Sequence, residues 1–344
     1  MNFDPYPMRM SPFYSERPWG GRLLSTLLGK DVPDQGGPYG EAWELSDHPK
    51  GRSRIANGPY AGRTFGEVVR AFPEQMCGTA HAPQRFPLLI KYIDAGEDLS
   101  IQVHPDEPQA RAYRERGKTE CWYVMACRPG TQVILGLKAG VDIERLRRCA
   151  ENGHIESCIR RVEIRPGDFI PIQPGTVHAI LGGTLLCEIQ QASDCTFRLW
   201  DWNRQPPRPL HVEDACLVTR LDGKGADNIR NVRELPPMRW HRLVRNAFFQ
   251  VRVGVVAAGA SFAGDRLNPH GQALNVIEGG GRLIAGGIDQ RLAIGQTWFL
   301  PAGMVEWSLV ADDAGLGVLL SESMELAGSK TNRRGDVEDA DIPT

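Results

Sequence analysis

Two histidines, a glutamate and a glutamine stand at spacings that suit a divalent metal ion. In the run GEDLSIQVH, residues 96–104, Gln102 and His104 are two residues apart. The run is β-like, and in a strand residues i and i+2 leave the same face, so one strand presents an amide and an imidazole together. Glu120 opens a second β-rich run, ECWYVM. His178 follows an apolar run and a turn at Pro174 and Gly175, where a strand delivers a side chain through a loop. Two imidazoles, one carboxylate and one amide form a donor set for a catalytic ion such as Zn2+, with room left for water or substrate.

The spacing is specific. Gly96, five residues, Gln102, one residue, His104 and later Glu120 resembles the first cupin motif with glutamine at its first histidine position. Gly167, seven residues, Gly175, two residues, His178 resembles the second. The segments LSIQVHPDE, GKTECWY, PGTVHAI and EIQQASDCTFRLWDWNR further resemble type I mannose-6-phosphate isomerases in their shorter bacterial form. ERPWGG and GEAWELS extend the resemblance, which covers residues 12–204. Departures are mild: Glu107 stands where a second aspartate is common, and Trp200 and Trp202 where tyrosine is frequent.

The resemblance implies an aldose–ketose isomerase that interconverts mannose 6-phosphate and fructose 6-phosphate through an enediol. It implies one Zn2+ per chain, or another divalent ion, on Gln102, His104, Glu120 and His178. It makes Arg198 the catalytic arginine and Lys118 a substrate-facing lysine with a share in catalysis and in phosphate binding. A guanidinium suits a planar enediolate, and an ammonium suits a phosphate as a point charge. Arg204, Lys91, Trp19 and Glu44 are the remaining substrate-binding candidates, with Trp43 beside them at the mouth of the pocket. The plainer readings are ion pairs with Asp194, Asp201 or Glu188 for Arg198 and Lys118, a snorkelling or paired Lys91, and core positions for both tryptophans. Metal-bound water, His104 and a carboxylate such as Asp194 all remain open as the base. Two other functions fit the motifs: a non-catalytic metal-cupin that binds or senses a sugar, and an isomerase or epimerase of another sugar phosphate.

Composition narrows the partners. The chain has 344 residues, 40 basic and 42 acidic, for a formal charge of −2, which speaks against nucleic-acid and anionic-membrane partners. A small sugar phosphate must therefore be held by local charge. The opening MNFDPYPMRMSPF lacks an apolar signal core, and no stretch approaches the roughly 18 apolar residues of a membrane span, so a cytoplasmic monomer or homodimer is expected. Eight cysteines without a C-x-x-C pair read as reduced core thiols, with Cys121 and Cys195 close in sequence to the site.

The elements that must position these residues are mainly β: two cupin (jelly-roll) barrels with a small helical insertion in the N-terminal half. The catalytic cupin domain is expected over 1–205. Within it, hairpins fill 7–60, and Thr64 with Glu67 forms a capping box for one helix ending near Cys77 and Gly78. FPLLIKYID is a strand, and Pro105 to Pro108 cap a short polar helix to Arg116 that could act as a lid. The helical insertion spans about 139–161, with helices over 141–152 and 154–161, and the β pattern resumes at Val162. QPPRPL excludes a regular element and opens a connector over 206–239. A degenerate cupin domain follows over 240–326, with strands at 248–256, 274–278, 281–284, 296–300 and 315–320, and a disordered tail over 327–344. Gly295, seven residues, Gly303, two residues, Glu306 repeats the second motif with glutamate in the histidine's place, and His270, Gln272 and Glu278 echo the first. A second metal site from these four residues competes with a purely structural role, which their single histidine favours.

Overall fold

The computed structural model describes residues 3–221, 228–264, 270–304 and 306–328. Its tail from 329 onward lies outside the described residues, and 324–328 form the short helix Met324–Gly328.

Three antiparallel sheets carry the architecture. A five-stranded sheet runs Ile159–Glu163, Gln132–Leu137, His178–Ile180, Ile101–Val103, Phe197–Trp200. A seven-stranded sheet runs Arg230–Asn231, Asp168–Ile172, Glu120–Cys127, Thr184–Gln191, Leu88–Ala95, Tyr39–Leu45, Phe13–Glu16. These two face each other across a core holding Trp19, Ile93, Trp122, Leu135, Ile180 and Leu186. The central strands Leu88–Ala95 and Thr184–Gln191 are buried at every position, because the seven-stranded sheet is covered on both sides. Its second face packs on a nine-stranded sheet of the C-terminal half, where Ile90, Tyr123 and Phe169 meet Phe249, Ala273 and Phe299. Ile90, Phe169, Phe249 and Phe299 each contribute roughly 1.5–3 kcal/mol on full burial, so this shared layer binds the two halves strongly.

The chain is mainly β with antiparallel sheets, as expected; of the two cupin (jelly-roll) barrels, the described residues show stacked open sheets, none of which closes on itself. The N-terminal strand Met8–Ser11 bridges the two halves: one edge pairs with Thr297–Leu300, Met8 opposite Phe299, and the other with Arg54–Ile55 of the first half. In the C-terminal sheet the runs expected at 274–278 and 281–284 fuse into one strand, Gln272–Ala285, whose pairing shifts register around Gly279 and Gly281. The run expected at 315–320 lies inside Trp307–Ser323.

Local signals set several helices. Thr64 accepts from the Glu67 amide while Glu67 accepts from the Thr64 amide, completing the expected capping box of Phe65–Ala71. Pro73 then starts a separate helix, Pro73–Cys77, so one expected helix is two. Asp106 and Gln109 cap the short Glu107–Ala110 helix in the same reciprocal way. The helical insertion is smaller than expected: Ile143–Glu151 is a helix, but 154–161 holds only the 3-10 turn Ile155–Ser157, and a strand begins at Ile159. Pairing with Gln132–Leu137, Val162 opposite Val133, claims that segment for the sheet. The connector contains a helix the sequence reading missed, Val212–Val218, whose Ala215 and Val218 join Leu146 and Ala150 behind the five-stranded sheet.

Candidate metal centre and catalytic cleft

Strand register brings the chemistry into rows. His178 lies opposite Gln102, and Gln102 opposite Arg198, so the three cross the five-stranded sheet in line at about 4.8 Å per strand. On the facing sheet Trp122, Glu188, Lys91 and Trp43 form a second row. Between the rows lies a cavity of about 650 Å³ whose wall includes Trp19, Lys91, Gln102, Lys118, Glu188 and Arg198. A larger groove of about 1160 Å³, near Arg52 and Arg114, lies elsewhere and contains none of the expected metal ligands.

The two imidazoles are oriented by backbone. His104 Nδ1 lies 2.9 Å from the Cys195 carbonyl oxygen and His178 Nδ1 2.8 Å from that of Thr176. A carbonyl only accepts, so each Nδ1 carries the proton and each Nε2 keeps its lone pair. Gly175, at φ +81°, makes the turn ahead of His178 and donates its amide to the His104 carbonyl at 2.8 Å, tying the two histidine segments together. Both Nε2 atoms point at Glu120, at 3.6 Å for His104 and 3.4 Å for His178. The ligand atoms of His104, Glu120 and His178 all lie within 4.8 Å of one another, and each residue is 1% exposed. Gln102 Nε2 sits 3.4 Å from His178 Nε2, and a half-turn of the amide would bring Oε1 to the same place.

This donor set fits a divalent ion. Burial, reinforced by the Lys118 charge, lowers the pKa of His104 well below that of a free imidazole and that of His178 to about 4, so both stay neutral and able to ligate. Burial pushes the Glu120 carboxyl up against the pull of Lys118. Glu120 Oε1 has no hydrogen-bond partner, an unmet demand that a cation answers.

Lys118 stands in the same cluster. Its Nζ bonds Glu120, lies 2.9 Å from His104 Nε2 and 3.9 Å from Glu188 Oε1. The ammonium is therefore at the His104–Glu120 end of the cleft. Lys91 is fully buried against Glu188 at 3.0 Å and sits 5.3 Å over the Trp43 ring, so it is a paired lysine that also lines the cavity. Trp19 and Trp43, 3% and 2% exposed, are core residues and cleft walls at once.

Two candidates face elsewhere. Side chains alternate along Tyr39–Leu45, so Glu41 and Trp43 reach the cleft while Glu44 turns to the other face, buried against Lys30 at 2.6 Å. Arg204 is drawn away by Glu97 at 2.7 Å and the Asp98 carbonyl at 2.6 Å, and lines a separate surface hollow. Two residues that were not among the expected substrate-binding candidates line the cleft, Glu188 and Arg208. Glu188 accepts from Trp122 Nε1 at 3.2 Å and joins Lys91 to the neighbourhood of Lys118. Arg208 lines the cleft and donates from Nε and Nη2 to Asp201 at 2.7 and 2.5 Å. Register could have exposed Glu188, which stands opposite Lys91; nothing periodic marks Arg208.

Charge pairing singles out one cation. Arg17 pairs with Glu41 at 2.8 Å, Lys50 with Asp194 at 2.7 Å, Lys91 with Glu188, Lys118 with Glu120 and Arg208 with Asp201. Arg198 makes no ion pair among the described residues, and its buried Nε has no hydrogen-bond partner.

The second half offers no comparable cluster among the described residues. His270 Nδ1 lies 3.3 Å from the Cys77 carbonyl, Gln272 donates to Glu322 at 3.3 Å, Glu278 pairs with Arg233 at 3.2 Å, and Glu306 borders a different hollow. All eight cysteines are free thiols, and burial pushes Cys121 and Cys195 up.

Facing antiparallel sheets with a buried His-Glu-His cluster, a lysine in contact with it and an arginine one strand away define a metal-competent β-sandwich enzyme. Residues 8–123 match the family described as phosphomannose isomerase type I, catalytic domain. The chain is 35% identical over 310 residues to the Bacillus subtilis protein named "Probable mannose-6-phosphate isomerase GmuF", covering 88% of this chain and 96% of that one. It is 34% identical over 309 residues to mannose-6-phosphate isomerase ManA of the same organism, covering 88% and 95%. The crystal structure of the Bacillus subtilis mannose 6-phosphate isomerase superposes with a TM-score of 0.79 at 30% identity, covering 92% of this chain and 99% of that one. The chain belongs to the type I phosphomannose isomerase family. No helix among the described residues is long and apolar enough to cross a membrane.

Proposed function

We propose that the protein is a metal-dependent isomerase that interconverts mannose 6-phosphate and fructose 6-phosphate through an enediol. Family membership supports the reaction, and the observation that carries the chemistry is the convergence of His104, Glu120 and His178 on one buried point with Lys118 beside it. Gln102, His104, Glu120 and His178 hold one divalent ion, and two neutral imidazoles with oxygen donors suit Zn2+. Bound there, the ion supplies Lewis acidity to the oxygens on the substrate's C1 and C2.

The chain's own residues do the rest. Lys118, in contact with His104 and Glu120, donates to a substrate oxygen at the reacting carbons. Arg198, one strand beyond Gln102 and without an ion pair, turns its guanidinium toward the enediolate as negative charge develops. Trp19 and Trp43 exclude water from the cleft walls, and the Lys91–Glu188 pair keeps the wall polar without leaving an uncompensated charge. Residues 1–205 form the catalytic unit, the connector over 206–239 adds Arg208 to its cleft wall, and 240–326 is a degenerate cupin unit of structural role.

The test is a coupled assay on mannose 6-phosphate, before and after chelation and after return of Zn2+. Turnover lost on chelation and restored by metal is expected. A protein that binds metal yet never turns over the sugar phosphate would be a sugar-binding cupin instead, and full activity after complete metal removal would end the metal assignment.

A further inference from the structure

The cleft has two ends, and only one of them contains the ligand cluster. From His178 the row runs through Gln102 to Arg198, two strand spacings or about 10 Å. Beyond Arg198 the chain doubles back: His211 donates its amide to the Arg198 carbonyl at 2.8 Å, and Arg198 donates its own amide to His211 Nδ1 at 3.2 Å. This pairing lays the segment before His211 along the outer side of Arg198 and brings Arg208 into the cleft wall.

Arg208 is built to hold still. Nε and Nη2 face the two oxygens of Asp201, a carboxylate only 6% exposed as a residue, in a two-point fork. Nη1 makes no bond to Asp201, so one edge of the guanidinium remains to donate. Its neighbour Arg198 brings the one positive charge in the cleft that no carboxylate among the described residues pairs. At the opposite end Lys118 is committed to His104 and Glu120.

We infer that Arg208, clamped by Asp201, is the specificity residue for the substrate's terminal phosphate, so that the sugar lies with C1 and C2 between the ligand cluster and Arg198 and its phosphate beyond them, at the Arg208 end. This rests on the isomerase reading for the identity of the sugar. The anion subsite itself rests on the side chains alone. A six-carbon chain ending in a phosphate is of the order of two strand spacings long, about 10 Å, and bridges the two ends without needing Lys118 at the phosphate.

The experiment compares metal-loaded wild type, Arg208→Ala, Arg208→Lys and Lys118→Met in steady-state kinetics on mannose 6-phosphate, with inorganic phosphate as a calorimetric probe. Arg208→Ala should raise KM by on the order of 10- to 100-fold, the usual loss for hydrogen bonds to a charged group, and by more than it lowers kcat. Its phosphate Kd should rise in parallel, whereas Lys118→Met should keep phosphate Kd within about threefold of wild type while turnover falls. Asp201→Asn, which loosens the clamp without removing the guanidinium, should raise KM less than Arg208→Ala does. If Arg208→Ala fails to fold, Arg208→Lys carries the test, since an ammonium cannot keep the fork and donate outward together. Phosphate binding that depends on Arg208 in a wild type that does not isomerise the sugar would uphold the subsite and refute only the reaction. Unchanged KM and phosphate Kd in Arg208→Ala, or phosphate binding lost in Lys118→Met, would overturn the inference.

Discussion

Truncation of Arg198 separates catalysis from folding unusually well. Its guanidinium has no ion pair among the described residues and its Nε no hydrogen-bond partner, so Arg198→Ala breaks no salt bridge and strands no carboxylate. It also removes the repulsion between Arg198 and Arg208, which, after burial, is the largest cause lowering the Arg198 pKa. Stability should therefore move by no more than about 1 kcal/mol, the scale of a substitution that leaves no buried group unpaired. Metal content should stay at the wild-type level, because Arg198 bonds none of the ligand side chains. The effect falls on the transition state: losing one preorganised donor to a developing oxyanion costs on the order of 10²–10³ in kcat, about 2.7–4 kcal/mol. Arg198→Lys should recover little, since one ammonium cannot reproduce the planar fork. The assay is coupled detection of fructose 6-phosphate on metal-replete protein, with elemental analysis and a denaturant melt on the same samples. A kcat within threefold of wild type in Arg198→Ala would refute the oxyanion role, and a large loss of metal or stability would refute the isolation of Arg198 argued from its contacts.

Three other outcomes are expected. His178→Ala should purify with its divalent ion depleted while Glu306→Ala retains it, by elemental analysis; full retention in His178→Ala would sink the ligand assignment. Lys30→Met leaves the Glu44 carboxylate, 0% exposed, without its counter-ion and should cost about 3–5 kcal/mol in denaturant unfolding, most of it recovered by adding Glu44→Gln. A single variant as stable as wild type would mean that Lys30 does not compensate that charge. His48, whose pKa is lowered to about 4 mainly by burial and next by Arg85, contributes stability that is present above the unfolded imidazole value of about 6.5 and lost as pH falls toward 4. His48→Phe should flatten the stability profile across that window, and an unchanged slope would remove His48 as its source.

The clustering of His104, Glu120 and His178 was legible because its signals are short-range. A period of two places Gln102 and His104 on one strand, and the glycine spacing marks the turn before His178, so the sequence alone could group them with Glu120. Period two also exposes the misreading of Glu44: adjacent Trp43 and Glu44 cannot both face the cleft, and Glu41 is the residue that shares the Trp43 side. The arginine end was hidden for a different reason. Arg208 depends on a fork to Asp201 within a proline-rich segment, and Arg204, closer to the recognised motif, is diverted by Glu97 and Asp98. Neither partner choice has a periodicity. The Val212–Val218 helix escaped notice because seven residues give too few repeats to register as amphipathic, although its inner face is held by packing behind the five-stranded sheet.

The strand Met8–Ser11 changes how the chain can come to be assembled. Its hydrogen-bonding partner along one edge, Thr297–Leu300, is almost 300 residues later, while Arg54–Ile55 on its other edge follows within 50. During synthesis this strand emerges long before Thr297–Leu300 and is thus among the last to find its full set of partners. Loop closure over such a separation is slow relative to local pairing. Until the second half is made, the buried outer face of the seven-stranded sheet has no cover, so the half-synthesised chain exposes apolar surface of the kind that aggregates. The same stitch argues against excising either half as an independent unit: a fragment starting after residue 11 takes an inner strand out of the C-terminal sheet, and one ending before residue 297 leaves that strand without its long-range partner.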